Sequence, residues 1–207
     1  LNAAGYVKAT SYLSAADNIE NMFVYDADPA GATITKEYDS EKQHEVVKLT
    51  GSARDNGYQL NSDNDSHWNN TSQKVISWDM KYSEAYTIYI TLDTAKGERV
   101  IQYKAGTAPP ALLSGKYARH YIDPEKTMTG RWNAVTRDLA ADLQAVEPDN
   151  EILTVNAFLI RGSGYIDNVK LEGGVSAEDM SRFVESQNAE SVSSKLIYDN
   201  PGPQVYT

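Results

Sequence analysis

The chain has no cysteine among its 207 residues and only three histidines. The first absence excludes disulfides, thiolate-held zinc, iron–sulfur clusters and thiol nucleophiles together, and the second leaves little for a histidine-rich metal centre. Basic residues are also short, with 19 Lys and Arg against 29 Asp and Glu and a formal net charge of -10. Such a chain lacks the broad basic footprint that neutralises phosphates, so nucleic acid is not an expected partner. No apolar run approaches the ~20 residues of a membrane span, so no membrane insertion is expected. The start, Leu1-Asn2-Ala3-Ala4, has neither the basic nor the hydrophobic region of a signal peptide, although a cleaved one would leave no trace. Also missing are a Gly-x-Ser-x-Gly elbow, a P-loop, a dinucleotide fingerprint and a His-Glu-x-x-His helix, which leaves the common enzyme classes without a foothold.

What is abundant is tyrosine, 14 residues against three Phe and three Trp. Most of the aromatic surface therefore carries a hydroxyl, which suits strands and also binding faces for sugars or peptides. With 41% apolar residues the chain can bury the core of one domain of ordinary size, with or without a tail. An acidic, Asn- and Ser-rich, Cys-free composition fits an extracellular bacterial protein, and an acidic cytoplasmic one nearly as well.

Strand signals recur along the chain. Met22-Phe23-Val24-Tyr25 runs into the turn from Asp26 to Gly31, and Ala32 to Tyr38, Glu45 to Thr50 and Tyr58 to Leu60 follow. The clearest period-two pattern sets Ile76, Trp78, Met80 and Tyr82 against Ser77, Asp79 and Lys81. A second sets Tyr86, Ile88, Ile90 and Leu92 against Thr87, Tyr89 and Thr91 and ends in a hairpin turn at Ala95 to Glu98. Lys116 to Ile122 reads as a short strand and Gly106 to Gly115 as an irregular loop. Trp132 to Val135 is a strand leading into the one helix of the body, where Leu139, Leu143 and Val146 share a face. The near-continuous apolar run Ile152 to Ile160 belongs in the middle of a sheet. In Tyr165 to Leu171 the spacing of Ile166 and Val169 breaks strict alternation and allows a bulge.

Many short strands with one inserted short helix specify an all-β fold, an antiparallel β-sandwich of jelly-roll type. The expected division is an N-terminal linker or edge segment over 1–20, the sandwich over 21–172, and a helical and strand-like tail over 173–207. In that tail Ile197-Tyr198-Asp199-Asn200-Pro201 echoes Val24-Tyr25-Asp26-Ala27-Asp28-Pro29, as the start of a following repeat would. The tail can equally add an edge strand to its own sandwich or to a neighbour's.

The stretch Trp132 to Leu171, with Arg137-Asp138-Leu139, the Phe158-Leu159-Ile160-Arg161-Gly162-Ser163-Gly164 turn and the closing Ile166-Asp167-Asn168-Val169-Lys170-Leu171, resembles the end of a galactose-binding-like, carbohydrate-binding jelly-roll module of secreted bacterial polysaccharide-active or adhesive proteins. Tyr25-Asp26 followed by Gly57-Tyr58 resembles its opening. The resemblance implies a non-catalytic glycan-binding fold, usually with a structural calcium, and places Asp167 near that ion.

A calcium site needs several hard oxygens at close range. Asp26 and Asp28 can meet Asp167 if the first and last strands are neighbours; Asp63, Asn64 and Asp65 are a second set, which also reads as a plain solvated loop. For a glycan, the polar parity of the strands offers Asp79, Lys81 and Tyr89, with Gln102, Arg137 and Arg161 able to project nearby. Trp68, in a polar loop, reads equally as an exposed stacking platform or as a loop Trp folded back onto the sandwich, whereas Trp78 lies on the apolar parity and belongs to the core. Two other readings stand beside glycan binding. One is a structural or adhesive repeat that binds a protein partner or a neighbouring module of the same polypeptide. The other is a lyase acting on an acidic polysaccharide, for which Lys116-Tyr117-Ala118-Arg119-His120-Tyr121 holds the residue types but also reads as a surface basic cluster.

Overall fold

The computed structural model describes residues 9–107 and 109–173. The expectations placed on residues 174–207, the Tyr198-Asp199 echo included, lie outside them. Thirteen strands form two sheets. The six-stranded sheet holds β1 (Ala9–Leu13), β3 (Thr33–Asp39), β4 (His44–Thr50), β6 (Val75–Lys81), β11 (Trp132–Asp138) and β13 (Gly164–Glu172), in the order β11-β6-β13-β4-β3 with β1 also on β13. The seven-stranded sheet holds β2 (Met22–Asp26), β5 (Gly57–Leu60), β7 (Thr87–Thr94), β8 (Gly97–Ala105), β9 (Leu112–Ser114), β10 (Tyr117–Ile122) and β12 (Ile152–Arg161), in the order β2-β5-β12-β7-β8-β10-β9. Two short helices complete it, α1 (Pro124–Thr127) and α2 (Leu139–Gln144), each capped by an aspartate, Asp123 or Asp138, whose carboxylate accepts a first-turn N–H. No helix among the described residues is long and apolar enough to cross a membrane.

This is the expected all-β sandwich, and the period-two patterns explain it. One parity of each strand points between the sheets, so β6 contributes Ile76, Trp78 and Met80 to the core and β7 contributes Ile88, Ile90 and Leu92. Trp78 is the hub: its ring lies 5.7 Å from that of Phe158 and 6.0 Å from that of Tyr103 across the interior. Truncating a buried aromatic at such a place costs about 3–5 kcal/mol. The apolar run of β12 does sit mid-sheet, between β5 and β7. In β13 the bulge falls at Asn168, whose φ of 52° turns the strand so that Ile166, Val169 and Leu171 all stay buried.

Of the two readings of residues 1–20, the described part contains an edge segment: β1 pairs with the second half of β13 and buries Leu13 completely. Two expectations need correction. The Gly106 to Gly115 loop contains the edge strand β9. And the sandwich is not antiparallel throughout, since β8 and β10 run parallel. The chain leaves β8, returns as β9 one strand-width away, turns at Gly115 (φ 59°), and β10 fills the gap between them.

Candidate functional site

Two outer faces remain once the core is accounted for, and they differ in kind. On the seven-stranded sheet the register aligns Gln59, Leu159, Tyr89, Gln102 and Arg119 in one row across five strands. Two residues along on one side lies the row Thr91, Val100 and Tyr117; on the other lies Arg161, Thr87, Lys104 and Tyr121. Residues two apart share a face, so these rows form one surface. It contains a groove of about 420 Å³ whose walls include Tyr25, Tyr89, Tyr117, Gln102, Arg119 and Arg161.

Each wall has a local cause. Tyr25 lies flat on the sheet because Gly57 has no side chain: a Cβ there would come within 2.3 Å of the ring. Arg161 holds that end, donating to Asp26 Oδ2 at 2.7 Å and to the carbonyls of Arg54 and Asp55 at 3.1 and 2.9 Å, with its guanidinium 5.2 Å from the centre of the Tyr25 ring. Burial pushes the Tyr25 hydroxyl up, the Arg161 charge only partly offsetting it, whereas the hydrogen bond from Arg161 and then that from the Asp28 N–H hold the Asp26 carboxylate down. At the far end Tyr117 meets Tyr89 edge-on, ring centres 6.4 Å apart, and Lys116 pairs with Glu98 at 2.6 Å.

The floor between them carries unmet hydrogen bonds. Gln102 is only 6% exposed and its Oε1 has no partner among the described residues; Nε of Arg119, its neighbour on β10, has none either. A buried acceptor and donor left open cost about 1–3 kcal/mol each unless something else meets them. Aromatic faces flanking such groups are suited to a ring whose faces are apolar and whose rim carries hydroxyls.

The outer face of the six-stranded sheet is closed by ion pairs instead. Asp79 and Asp167 stand opposite each other in the β6–β13 pair, and Lys42, from the β3–β4 turn, bridges them: its Nζ hydrogen-bonds Asp79, lies 3.6 Å from Asp167 Oδ2 and sits 4.7 Å from the centre of the Trp132 ring. Asp167 also accepts from the Ala15 N–H at 2.9 Å and lies 2.8 Å from His44 Nε2; Asn168 donates to Asp79 at 2.9 Å. Lys81 reaches Asp39 at 3.2 Å. Burial works against the Asp39 charge, but the Lys42 N–H and Lys81 hold its carboxyl down to about 2.

The structure thus brings together three of the seven expected glycan contacts, Tyr89, Gln102 and Arg161. Asp79 and Lys81 belong to the opposite face and are engaged in the ion pairs just described. Arg137 is turned to a bidentate pair with Asp142, at 2.9 and 2.6 Å, beneath which lies the Tyr103 ring. Trp68 is not an exposed platform: it is 8% exposed and stacked on Tyr12 with ring centres 3.9 Å apart, because the bridge from Asn70 to Val155 ties its loop to the sandwich. Tyr25, Tyr117 and Arg119 went unrecognised as groove residues, although Tyr117, Arg119 and Tyr121 show the period-two alternation that would have shown them. His120 and Tyr121 point to opposite sides of β10, His120 inward to the Asp142 carbonyl at 2.8 Å.

Nor do Asp26, Asp28 and Asp167 meet. Asp26 serves Arg161 on one sheet and Asp167 serves Lys42 and His44 on the other. Among the described residues no group of three or more His, Asp or Glu is placed to hold a metal. At Asp167 the His44 ring and Lys42 already lie on Oδ2 and the Ala15 N–H on Oδ1, so the residues there do not fit a calcium ion.

No family model matches the chain, and no curated protein matches it. Among solved structures it is similar to the family 11 carbohydrate-binding module of Clostridium thermocellum in complex with a β-1,3-1,4-mixed-linked tetrasaccharide, at 14% identity and a TM-score of 0.45, over 81% of this chain and 97% of that one. It is also similar to a variant of a family 29 carbohydrate-binding module, at 12% identity and 0.40 over 81% and 93%. A third likeness is to a Clostridium thermocellum xylanase fragment joining a family 22 module to its catalytic module, complexed with xylohexaose, at 10% identity and 0.43 over 79% of this chain and 27% of that one.

Proposed function

We propose that the chain is a non-catalytic carbohydrate-binding module of an extracellular bacterial protein, and that its glycan lies in the tyrosine groove of the seven-stranded sheet. The observation that carries this is the floor of the groove, where Gln102 and Arg119 keep unmatched polar atoms between the rings of Tyr25, Tyr89 and Tyr117. A protein gains no stability from that arrangement, while a sugar rim would supply the missing hydrogen bonds once the Gln102 and Arg119 side chains turn toward it, its faces covering the rings. The groove crosses the strands from β2 to β10, five spacings or roughly 24 Å, a span suited to an oligosaccharide rather than one sugar. Only one carboxylate lines it, Glu98, and that is paired with Lys116, so the groove lacks the two free carboxylates of a hydrolase.

The test is affinity electrophoresis through gels containing soluble polysaccharides, followed by calorimetry on whichever retard the protein. Retardation that is lost in Tyr89→Ala and Tyr117→Ala variants is expected. No retardation by any polysaccharide, neutral or acidic, would overturn the reading.

A further inference from the structure

The groove is basic in an acidic protein: Lys116, Arg119 and Arg161 line it against one acid, Glu98, in a chain of net charge -10. We infer that its glycan is acidic, an oligosaccharide of uronic-acid type, and that Arg119 receives the sugar carboxylate; this rests on the glycan reading of the same groove. The half-buried arginines of the sandwich make the comparison internal. Arg99 forks onto Glu147 at 2.9 and 3.0 Å, Arg137 onto Asp142, and Arg161 pairs with Asp26. Arg119, equally half-buried, has no carboxylate partner among the described residues, and its buried Nε has no partner there either. Lys104, on the same face two residues from Gln102 along β8, has no ion pair among the described residues either.

A guanidinium taken partly out of water without a counter-ion is costly, and a planar carboxylate meets its fork with two parallel hydrogen bonds. Beside it, Gln102 Oε1 is an acceptor that asks for a hydroxyl. A donor hydroxyl next to a carboxylate on one ring is the pattern of a uronic acid; a neutral sugar satisfies Gln102 and leaves Arg119 bare. Lys104 adds a second positive charge further along the face, which favours a chain carrying acids on successive sugars.

The deciding experiment is calorimetry of the full chain with short oligomers of galacturonate and of mannuronate, and with the same oligomers after reduction of their carboxyl groups to neutral alcohols. Wild type, Arg119→Gln and Arg119→Lys are compared at low and high salt, each checked by thermal unfolding to be folded. A uronate oligomer should bind and lose about tenfold in affinity on carboxyl reduction. Arg119→Gln should cost a similar factor on the acid and less than about twofold on its reduced form, with partial recovery in Arg119→Lys. If neutral oligomers bind as tightly as acidic ones, or Arg119→Gln weakens both alike, the acidic assignment falls while glycan binding stands. If no oligomer binds, acidic or neutral, the glycan reading falls with it.

Discussion

The two outer faces of the sandwich are built from the same residue types and solve opposite problems. On the six-stranded sheet the carboxylates have partners within the chain: Lys42 sits between Asp79 and Asp167, the His44 ring hydrogen-bonds Asp167, and Lys81 lies on Asp39. On the seven-stranded sheet Gln102 and Arg119 are left with atoms unmatched among the described residues, and the half-exposed rings of Tyr25, Tyr89 and Tyr117 line a groove. The first face is consistent with holding loops down, the second with receiving something. Charge alone did not distinguish them, since both carry lysines and aspartates, and each keeps buried polar atoms without a partner among the described residues, Ser77 Oγ and Trp132 Nε1 on the first and Gln102 Oε1 and Arg119 Nε on the second; the distinction is that on the second these atoms lie in a groove lined by tyrosines.

The comparison breaks most visibly at Asp167. Its carboxylate is fully buried, so Asp167→Ala strands Lys42 and His44 and should cost about 3 kcal/mol, a fall of roughly 10 °C in Tm by scanning calorimetry. Glycan affinity per folded molecule should not change; a loss of binding larger than the unfolded fraction would mean the faces are coupled. Tyr89→Ala should do the reverse, weakening binding about tenfold in titrations while stability moves by no more than about 1 kcal/mol.

Acid should separate the faces next. The Asp39 carboxyl is lowered from 3.8 to about 2 in the folded protein. A depressed acid contributes stability that is present above its unfolded value and lost as pH falls through the folded one. Melting temperature should therefore drop between about pH 4 and pH 2, and Asp39→Asn should flatten that part of the curve. An unchanged slope in the variant would show that other carboxylates carry the acid transition. A smaller effect of opposite sign is expected at Gln102→Leu, which removes an unmatched carbonyl: a gain of up to about 1 kcal/mol in stability by denaturant titration, with weaker glycan binding. The smallest effect concerns calcium. With Lys42 and His44 already on Asp167, melting curves in excess calcium and in chelator should superimpose; a chelator-dependent fall would require a metal site apart from that carboxylate.

Most of the strand boundaries and the bulge at Asn168 were legible in the sequence, because alternation and turn residues are local signals. Parity also placed Tyr89 on an outward face. What it could not supply was which sheet each strand joins. β6 and β7 are consecutive, yet they lie in different sheets, so the outward parity of Asp79 and Lys81 faces away from that of Tyr89. Sheet membership depends on long-range pairing, such as β10 beside β8, that no short window encodes. Trp68 misled for a related reason: its polar surroundings read as solvent, while the backbone bond from its N–H to the Asn156 carbonyl at 2.8 Å brings the loop onto the sandwich. Asp167 was expected beside a calcium ion; its neighbours are instead Lys42 and His44, more than 120 positions away in sequence, which is a fact of topology.

The central claim is that the tyrosine groove is the face that binds. Amide chemical shifts recorded during titration with a glycan that retards the protein test it most directly. The account predicts that the perturbed amides cluster around Tyr25, Tyr89, Gln102, Tyr117 and Arg119. A cluster around Lys42, Trp132 and Tyr165 on the opposite sheet, with the groove silent, would contradict it.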